Sequence, residues 1–495
     1  MTDIVVINPG ERKKTFQKLG EDHAAIETPY WAVAIGGYLR NSGYQIEIID
    51  ADVSNLTAEE TAKQVLEISP RLVAIVSHGS TPQSSTINMP IAGAIAQEIK
   101  ETSDIKVAIA GIHATALPEQ TLMEGAFDYV IVGEGPIAIK RLLEVLQTKD
   151  ADQHCKDVQG LCYIDEDGEI RNNGPSPLVE NVDEMLALSA WDQLPMEKYR
   201  SHFWHSFDDL AKRMPYASIY TALGCRYNCS FCQVNTLFGG PGMRFRDPVK
   251  VVDEIGVLVE QYGIRNLKIS DELFIYNEKH YMKILNLIIE RGYDLNMWAW
   301  VRIDSCKVEN LEKMKEAGVN WLVFGIESAD PIVRRKVGKP IRIDITNLLE
   351  QVKSAGISIV ANYIFGLPED TLETMQKTFN QATDINAEVA NFYSAMAYPG
   401  TELYRVAKKE RWRLPENWSG YAQHSYDATP VPTKYLSAEE VLSFRDNSFH
   451  EYHTSDRYLN MIEKTYGPQA REFLHEITRI KIARELLEKD NQSFH

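Results

Sequence analysis

Three cysteines stand within eight residues, in the run Gly224-Cys225-Arg226-Tyr227-Asn228-Cys229-Ser230-Phe231-Cys232, which directly follows the apolar stretch ASIYTAL. Thiols clustered in this way on one loop converge on metal rather than on a disulfide framework. A structural zinc site would want a fourth protein ligand, and neither a histidine nor a fourth cysteine stands nearby at zinc-finger spacing. A [4Fe–4S] cluster on Cys225, Cys229 and Cys232 would instead leave one iron open to an outside ligand. That iron can chelate the amino and carboxylate groups of S-adenosylmethionine (SAM) and pass an electron into its sulfonium. Homolysis then gives a 5′-deoxyadenosyl radical.

Such a loop needs a scaffold, and the alternation of apolar runs with helical patterns supplies one. The first ~150 residues read as strands IVVINP, YQIEIID, LVAIVSHG, VAIAGIH and YVIVGEG, with helical spacing over 30–42, 57–68, 85–101 and 118–126. This predicts an α/β, doubly wound, Rossmann-like domain over 1–148. Ligands of such sheets lie beyond the carboxyl ends of the strands. Those ends carry Asn8-Pro9-Gly10, Ser77 to Ser85, Gly111 to Pro118 and Gly133-Glu134-Gly135. Residues 149–210 read as a connector with a hairpin around Asp167-Gly168. Over 211–400 six strands in series, ASIYTAL, IRNLKIS, LNMWAWVRI, VNWLVFGIE, ISIVANYIFGLP and VANFYSAMAY, predict a partial (β/α)6 barrel. A small, mainly helical domain over 401–495 is expected to hold helices from Ala438 to Tyr452 and from Gln469 to Leu487.

The spacing Cys-x3-Cys-x2-Cys, with Phe231 before the last cysteine, resembles the radical SAM superfamily. The resemblance implies that Phe231 touches SAM. It also implies that Asp271-Glu272 in KISDELF faces the SAM amino group and that Arg302 in WAWVRID pairs with its carboxylate. Glu327 and Ser328 in VFGIES resemble ribose contacts, and Ile364 and Gly366 in YIFGLPEDT resemble the strand that passes the adenine. With the doubly wound domain in front, and with HGSTPQSST, AGIHATALPE, DYVIVGEGP and YPGTELY, the chain resembles the cobalamin-binding radical SAM family along nearly its whole length.

The corrin-facing set then comprises Asn8, Pro9, Ser77, His78, Gly79, Ser80, Ser84, Ser85, Thr86, Gly111, His113, Gly133, Glu134 and Gly135. Small residues there permit close approach of a flat macrocycle, and hydroxyls offer hydrogen bonds. The Asp-x-His-x-x-Gly pattern that supplies a histidine to cobalt elsewhere is absent, and His78 stands as a polar lining residue with cobalt ligation as the alternative. No Gly-x-Gly-x-x-Gly follows the first strand, which disfavours a dinucleotide. Cys155, Cys162 and Cys306 are expected as buried thiols, and one cluster is the expectation.

The cofactors so implied are a [4Fe–4S] cluster, SAM and cobalamin (methylcobalamin), with an electron donor such as flavodoxin or ferredoxin. The implied activity is methyl transfer from methylcobalamin to an unactivated carbon of a small molecule. Its first alternative is radical oxidation, cyclisation or rearrangement without methyl transfer, and its second a non-catalytic corrinoid carrier or sensor. Interface candidates are Asn235 to Arg246 and Tyr398. A chain of 495 residues is long enough for roughly two to four domains. Its formal charge of −18 disfavours nucleic acid and anionic lipid surfaces as partners. With no signal-peptide order at the N-terminus and no ~20-residue apolar run, a cytoplasmic protein without a membrane span is expected.

Overall fold

Five apolar runs at the start of the chain form β1 (Ile4–Asn8), β2 (Ile46–Asp50), β3 (Leu72–Val76), β4 (Lys106–Ala110) and β5 (Tyr129–Ile131). They pair in parallel in the order β2-β1-β3-β4-β5. This computed structural model describes residues 2–492 except 11, 21, 22, 149 and 188.

Both faces of the sheet are covered, so the strands are mainly apolar. Ile4, Val6, Ala74 and Ile131 face one core together with the helices Tyr30–Asn41 and Pro136–Val145. Val5, Ile7, Ile75 and Val130 face the other, with the helices Ala58–Ile68 and Met89–Thr102. A reciprocal Thr57–Glu60 capping box starts the third of these helices. The chain leaves β1 toward β2 and returns across it to β3, so the loops after β1 and β3 diverge and open a crevice at that switch point.

The span 149–210 does more than connect. Two of its segments, β6 (Leu161–Ile164) and β7 (Ile170–Asn172), extend the same sheet in antiparallel fashion beyond β5. Asp165 makes their turn by accepting the amides of Asp167 and Glu169.

The second sheet is parallel and open. Its strands are β8 (Tyr216–Ile219), β11 (Asn266–Ile269), β12 (Asn296–Arg302), β13 (Val319–Glu327), β14 (Ser358–Phe365) and β15 (Val389–Ser394), in that spatial order. The partial six-stranded barrel expected from the sequence is therefore present. Two short antiparallel strands, β9 (Ala222–Leu223) and β10 (Arg244–Phe245), frame the cysteine loop between them. The C-terminal part is helical, and Tyr452 and Tyr458 donate to the carbonyls of Ala387 and Glu388, just before β15. The helix expected from Gln469 to Leu487 is interrupted: Pro468–Thr478 and Glu485–Gln492 are separate, because Arg484 turns inward to Asp446 and the carbonyl of Ser425. No helix among the described residues is long and apolar enough to cross a membrane.

The two sheets share one core. The stretch before the Tyr30–Asn41 helix lies along the barrel edge. There Ile26 bridges Arg200, Thr28 accepts the amide of Ser218 at 2.9 Å, and Glu27 pairs with Lys268 at 2.7 Å.

Candidate active site between sheet and barrel

The cysteine loop is held mainly through its backbone. Gly224 turns out of β9 at φ +91, where a Cβ would stand 2.5 Å from the Gly242 carbonyl. Cys225 O accepts the amide of Gly242, Asn235 donates to Tyr227 O, and Ser230 donates to Val337 O. Cys229 Sγ lies 3.9 Å from the Gly338 carbonyl. Burial pushes the Cys225 thiol up to about 11 and Cys232 to about 12. It also raises Cys229, against the pull of Lys339 and Arg302. Among the described residues no three His, Cys, Asp or Glu side chains converge on one ion position. The three thiols nevertheless stand near enough to act on one another's charge, as the ligands of one multi-iron cluster must, each thiolate on its own iron.

The strand ends around this loop carry the remaining residues. Asp271 is fully engaged: both its oxygens accept from Thr221, through the amide and the hydroxyl, and burial raises its pKa to about 6. Asp271 therefore locks β11 to β8. Glu272 is the available carboxyl, since its Oε2 is buried without a protein partner and burial, with Asp271 adding to it, lifts its pKa to about 8. Arg302 lies over the Tyr227 ring at 4.1 Å, donates to Pro340 O and pairs with Asp304 at 2.7 Å. Glu327 occupies the left-handed region at φ +64 and pairs with Lys339. Ser328 faces away, bonding Thr378 and the amide of Asp330. Phe231 and Ile364 pack in one apolar cluster. Gly366, at φ +79, meets Val441 of the C-terminal helix, which would be 2.4 Å from an added Cβ.

On the facing sheet, much of the predicted corrin set is occupied within the protein. Asn8 donates to Asp50, and the carbonyl of Pro9 accepts from Asn88. Ser77 donates to Ser85 O, Ser85 Oγ accepts the amide of His113, and Ser84 bonds Thr81. Gly79 and Gly111 are glycines for local reasons: a Cβ would meet Ser84 at 2.2 Å and Ser77 O at 2.4 Å. Gly133 N donates to Thr115, and Gly135 precedes the Pro136–Val145 helix. Buried Glu134 pairs with Arg244 and accepts the amide of Val179. Two imidazoles differ. His78 stacks on Trp31 at 4.3 Å and 13°, and His113 lies edge-on to Trp418. Each has a buried Nε2 without a protein partner, and burial lowers both pKa values to about 3, so both rings are neutral.

These two halves meet. Trp31, His78 and Gly79 from the sheet and Tyr220, Phe238 and Glu272 from the barrel line one cavity. Three polar links cross beside it. Gln233, next to Cys232, donates to Thr86 and Pro399 O; Lys268 reaches Ser80 O; and Arg244 reaches Glu134. Tyr398 is directed elsewhere, donating to Tyr421 O.

The model of the B12 binding domain matches residues 19–143, and that of the radical SAM superfamily matches residues 219–382. An uncharacterised methyltransferase of Pyrococcus horikoshii is 30% identical over 419 residues, spanning 84% of this chain and 86% of that protein. The chain belongs to the cobalamin-binding radical SAM family. The anaerobic magnesium-protoporphyrin IX monomethyl ester cyclase of Rubrivivax gelatinosus is 27% identical over 393 residues, 78% of this chain and 67% of the cyclase. The radical SAM methyltransferase TsrM of Kitasatospora setae, solved with cobalamin and a [4Fe–4S] cluster, shares the fold at a TM-score of 0.68 and 17% identity. That match covers 97% of this chain and 99% of TsrM.

The cofactors of this cobalamin-binding radical SAM enzyme are the cluster, SAM and cobalamin, and the residues present fit them. The three thiols face one region, a carboxyl with one oxygen free of protein partners and two cations (Arg302 and Lys339) flank them, and an imidazole whose Nε2 has no protein partner stands on the facing crevice. Sequence reasoning missed Lys268, Lys339, Gln233 and Trp31. A lone charge inside the otherwise apolar strand NLKI was the one available signal, because a buried lysine needs a reason.

Proposed function

We propose that the chain is a C-methyltransferase acting on a small molecule bound between sheet and barrel. One observation carries this: Glu272, beside the cysteine loop, and His78, on the loop after β3, line the same cavity. When bound, the cofactors supply a carbon-centred radical on the barrel side and a transferable methyl group on the sheet side, so a substrate lodged between them meets both.

The chain's own residues arrange this meeting. Cys225, Cys229 and Cys232 hold the cluster. Glu272 accepts from the SAM ammonium, while Arg302 and Lys339 attract its carboxylate. Phe231, Ile364, Gly366 and the Glu327–Ser328 turn shape the nucleoside side. The loops from Ser77 to Thr86, Gly111 to His113 and Gly133 to Gly135, with Asn8 and Pro9, frame the corrin. Trp31, Tyr220 and Phe238 wall the cavity with apolar surface and keep water from a reactive intermediate.

Incubation of the reconstituted enzyme with methyl-labelled SAM tests this. Label in the product, with S-adenosylhomocysteine released, is expected. Unlabelled product with 5′-deoxyadenosine alone would favour oxidation, cyclisation or rearrangement, which the likeness to the cyclase supports as the second reading. Full function in Cys229→Ala would instead revive a non-catalytic corrinoid carrier.

A further inference from the structure

Ser230 stands between Cys229 and Cys232, and its two backbone groups are held by two different basic segments. Its N–H donates to Val337 O at 3.0 Å, and its carbonyl accepts the amide of Leu403 at 2.8 Å. Val337 belongs to PIVRRKVGKPIRID (331–344), with five basic residues against one acidic. Leu403 belongs to ELYRVAKKERWR (402–413), with five basic against two acidic. In a chain of charge −18 this is a local reversal of sign at the cluster loop.

Packing explains how the reversal reaches the surface. Val333, Val337, Leu403 and Ala407 turn inward with Phe231 into one apolar cluster. Arg334 and Lys339 turn inward, but six other basic residues of the two segments face out: Arg335, Lys336, Arg342, Lys409, Arg411 and Arg413 are exposed. None of these six has an ion-pair partner among the described residues. Lys409 lies six residues beyond Leu403, about 9 Å along the helix. The loop itself reaches solvent at Arg226 and Asn228.

We propose that this basic collar is the docking surface for an acidic one-electron carrier protein that charges the cluster. The inference rests on the assignment of the triad to a reducible cluster. In the step it serves, one electron leaves the donor's reduced cofactor and enters the oxidised cluster. The donor is oxidised by one electron and the cluster reduced by one, with no bond made or broken. A carrier is favoured over nucleic acid because the collar surrounds the cluster loop and the rest of the molecule repels polyanions.

The test compares reconstituted wild type with Arg335→Glu/Lys336→Glu/Lys409→Glu, matched for iron content and circular dichroism. Each is reduced anaerobically by a purified acidic ferredoxin or by photoreduced 5-deazariboflavin, a neutral small reductant. Reduction by the ferredoxin should fall ~10-fold or more at low salt and lose most of its salt dependence, as steered association does. Calorimetric binding of oxidised ferredoxin should weaken in parallel, and deazariboflavin should reduce both proteins equally. Equal ferredoxin rates in the two proteins, or a wild-type rate insensitive to salt, would overturn the proposal. So would transfer RNA binding the collar more tightly than ferredoxin. A wild-type cluster that deazariboflavin cannot reduce would overturn the underlying assignment instead.

Discussion

At the scale of single residues the two adjacent carboxyls after β11 divide their work by environment. Asp271 is tied to Thr221 and acts on the strands, whereas Glu272 keeps an oxygen for a ligand. Its pKa of about 8 means that in cofactor-free protein this carboxyl is neutral at neutral pH. Pairing with an ammonium favours the ionised form, so SAM binding should release a proton and tighten as pH rises toward 8. Glu272→Gln should weaken SAM binding ~10-fold or more, the scale of a hydrogen bond to a charged group, and flatten that pH dependence; titration calorimetry in two buffers reads both. Stability moves the other way. The folded pKa lies above the unfolded one, so the contribution is full below about 4.5 and is lost as pH rises through about 8. In cofactor-free protein the glutamine variant should therefore lose less thermal stability between pH 5 and 9 than wild type.

At the scale of elements, Gly366 shows how a motif position can serve a neighbouring helix. Its φ of +79 and its contact with Val441 make it the seat of the Ala438–Thr454 helix on the end of β14. Gly366→Ala should cost ~2–3 kcal/mol from strain and overpacking together. Adding Val441→Ala should relieve the clash but leave the strain, a non-additivity that denaturant melts of both singles and the double will measure. Elements of this kind were legible in the sequence where one pattern ruled. The parallel strands were readable because most of their residues are buried on both faces and the runs are mainly apolar, and the cysteine triad was readable because its spacing is local. Pairing across long separations was not. That β6 joins β5, that Arg484 breaks a helix to reach Asp446, and that Asp271 is satisfied while Glu272 is not all depend on partners dozens of residues away. Likewise Ser77, Ser85 and Thr86 were readable as small polar loop residues, but only the fold reveals that their hydroxyls turn to each other and to His113.

At the scale of the whole molecule the sheet and barrel are joined by buried polar links as well as by a shared core. The Arg244–Glu134 pair is the most exacting, because Glu134 is wholly buried and its other contact is a single backbone amide. Removing the cation strands a charge, so Arg244→Ala should cost ~3–5 kcal/mol. Urea unfolding followed by tryptophan fluorescence should show this loss, and corrin retention on gel filtration should fall with it. Glu27 and Lys268 make a second such link, with a consequence for how the protein is made. Translation delivers Glu27 some 240 residues before Lys268, so the nascent N-terminal sheet leaves the ribosome with its acidic arm loose. The arm can close only when β11 has emerged, and an excised barrel would lose the carboxylate that pairs with its buried ammonium group. The two halves are therefore obliged to mature as one body, and a gene split between them should give fragments that fold only on mixing.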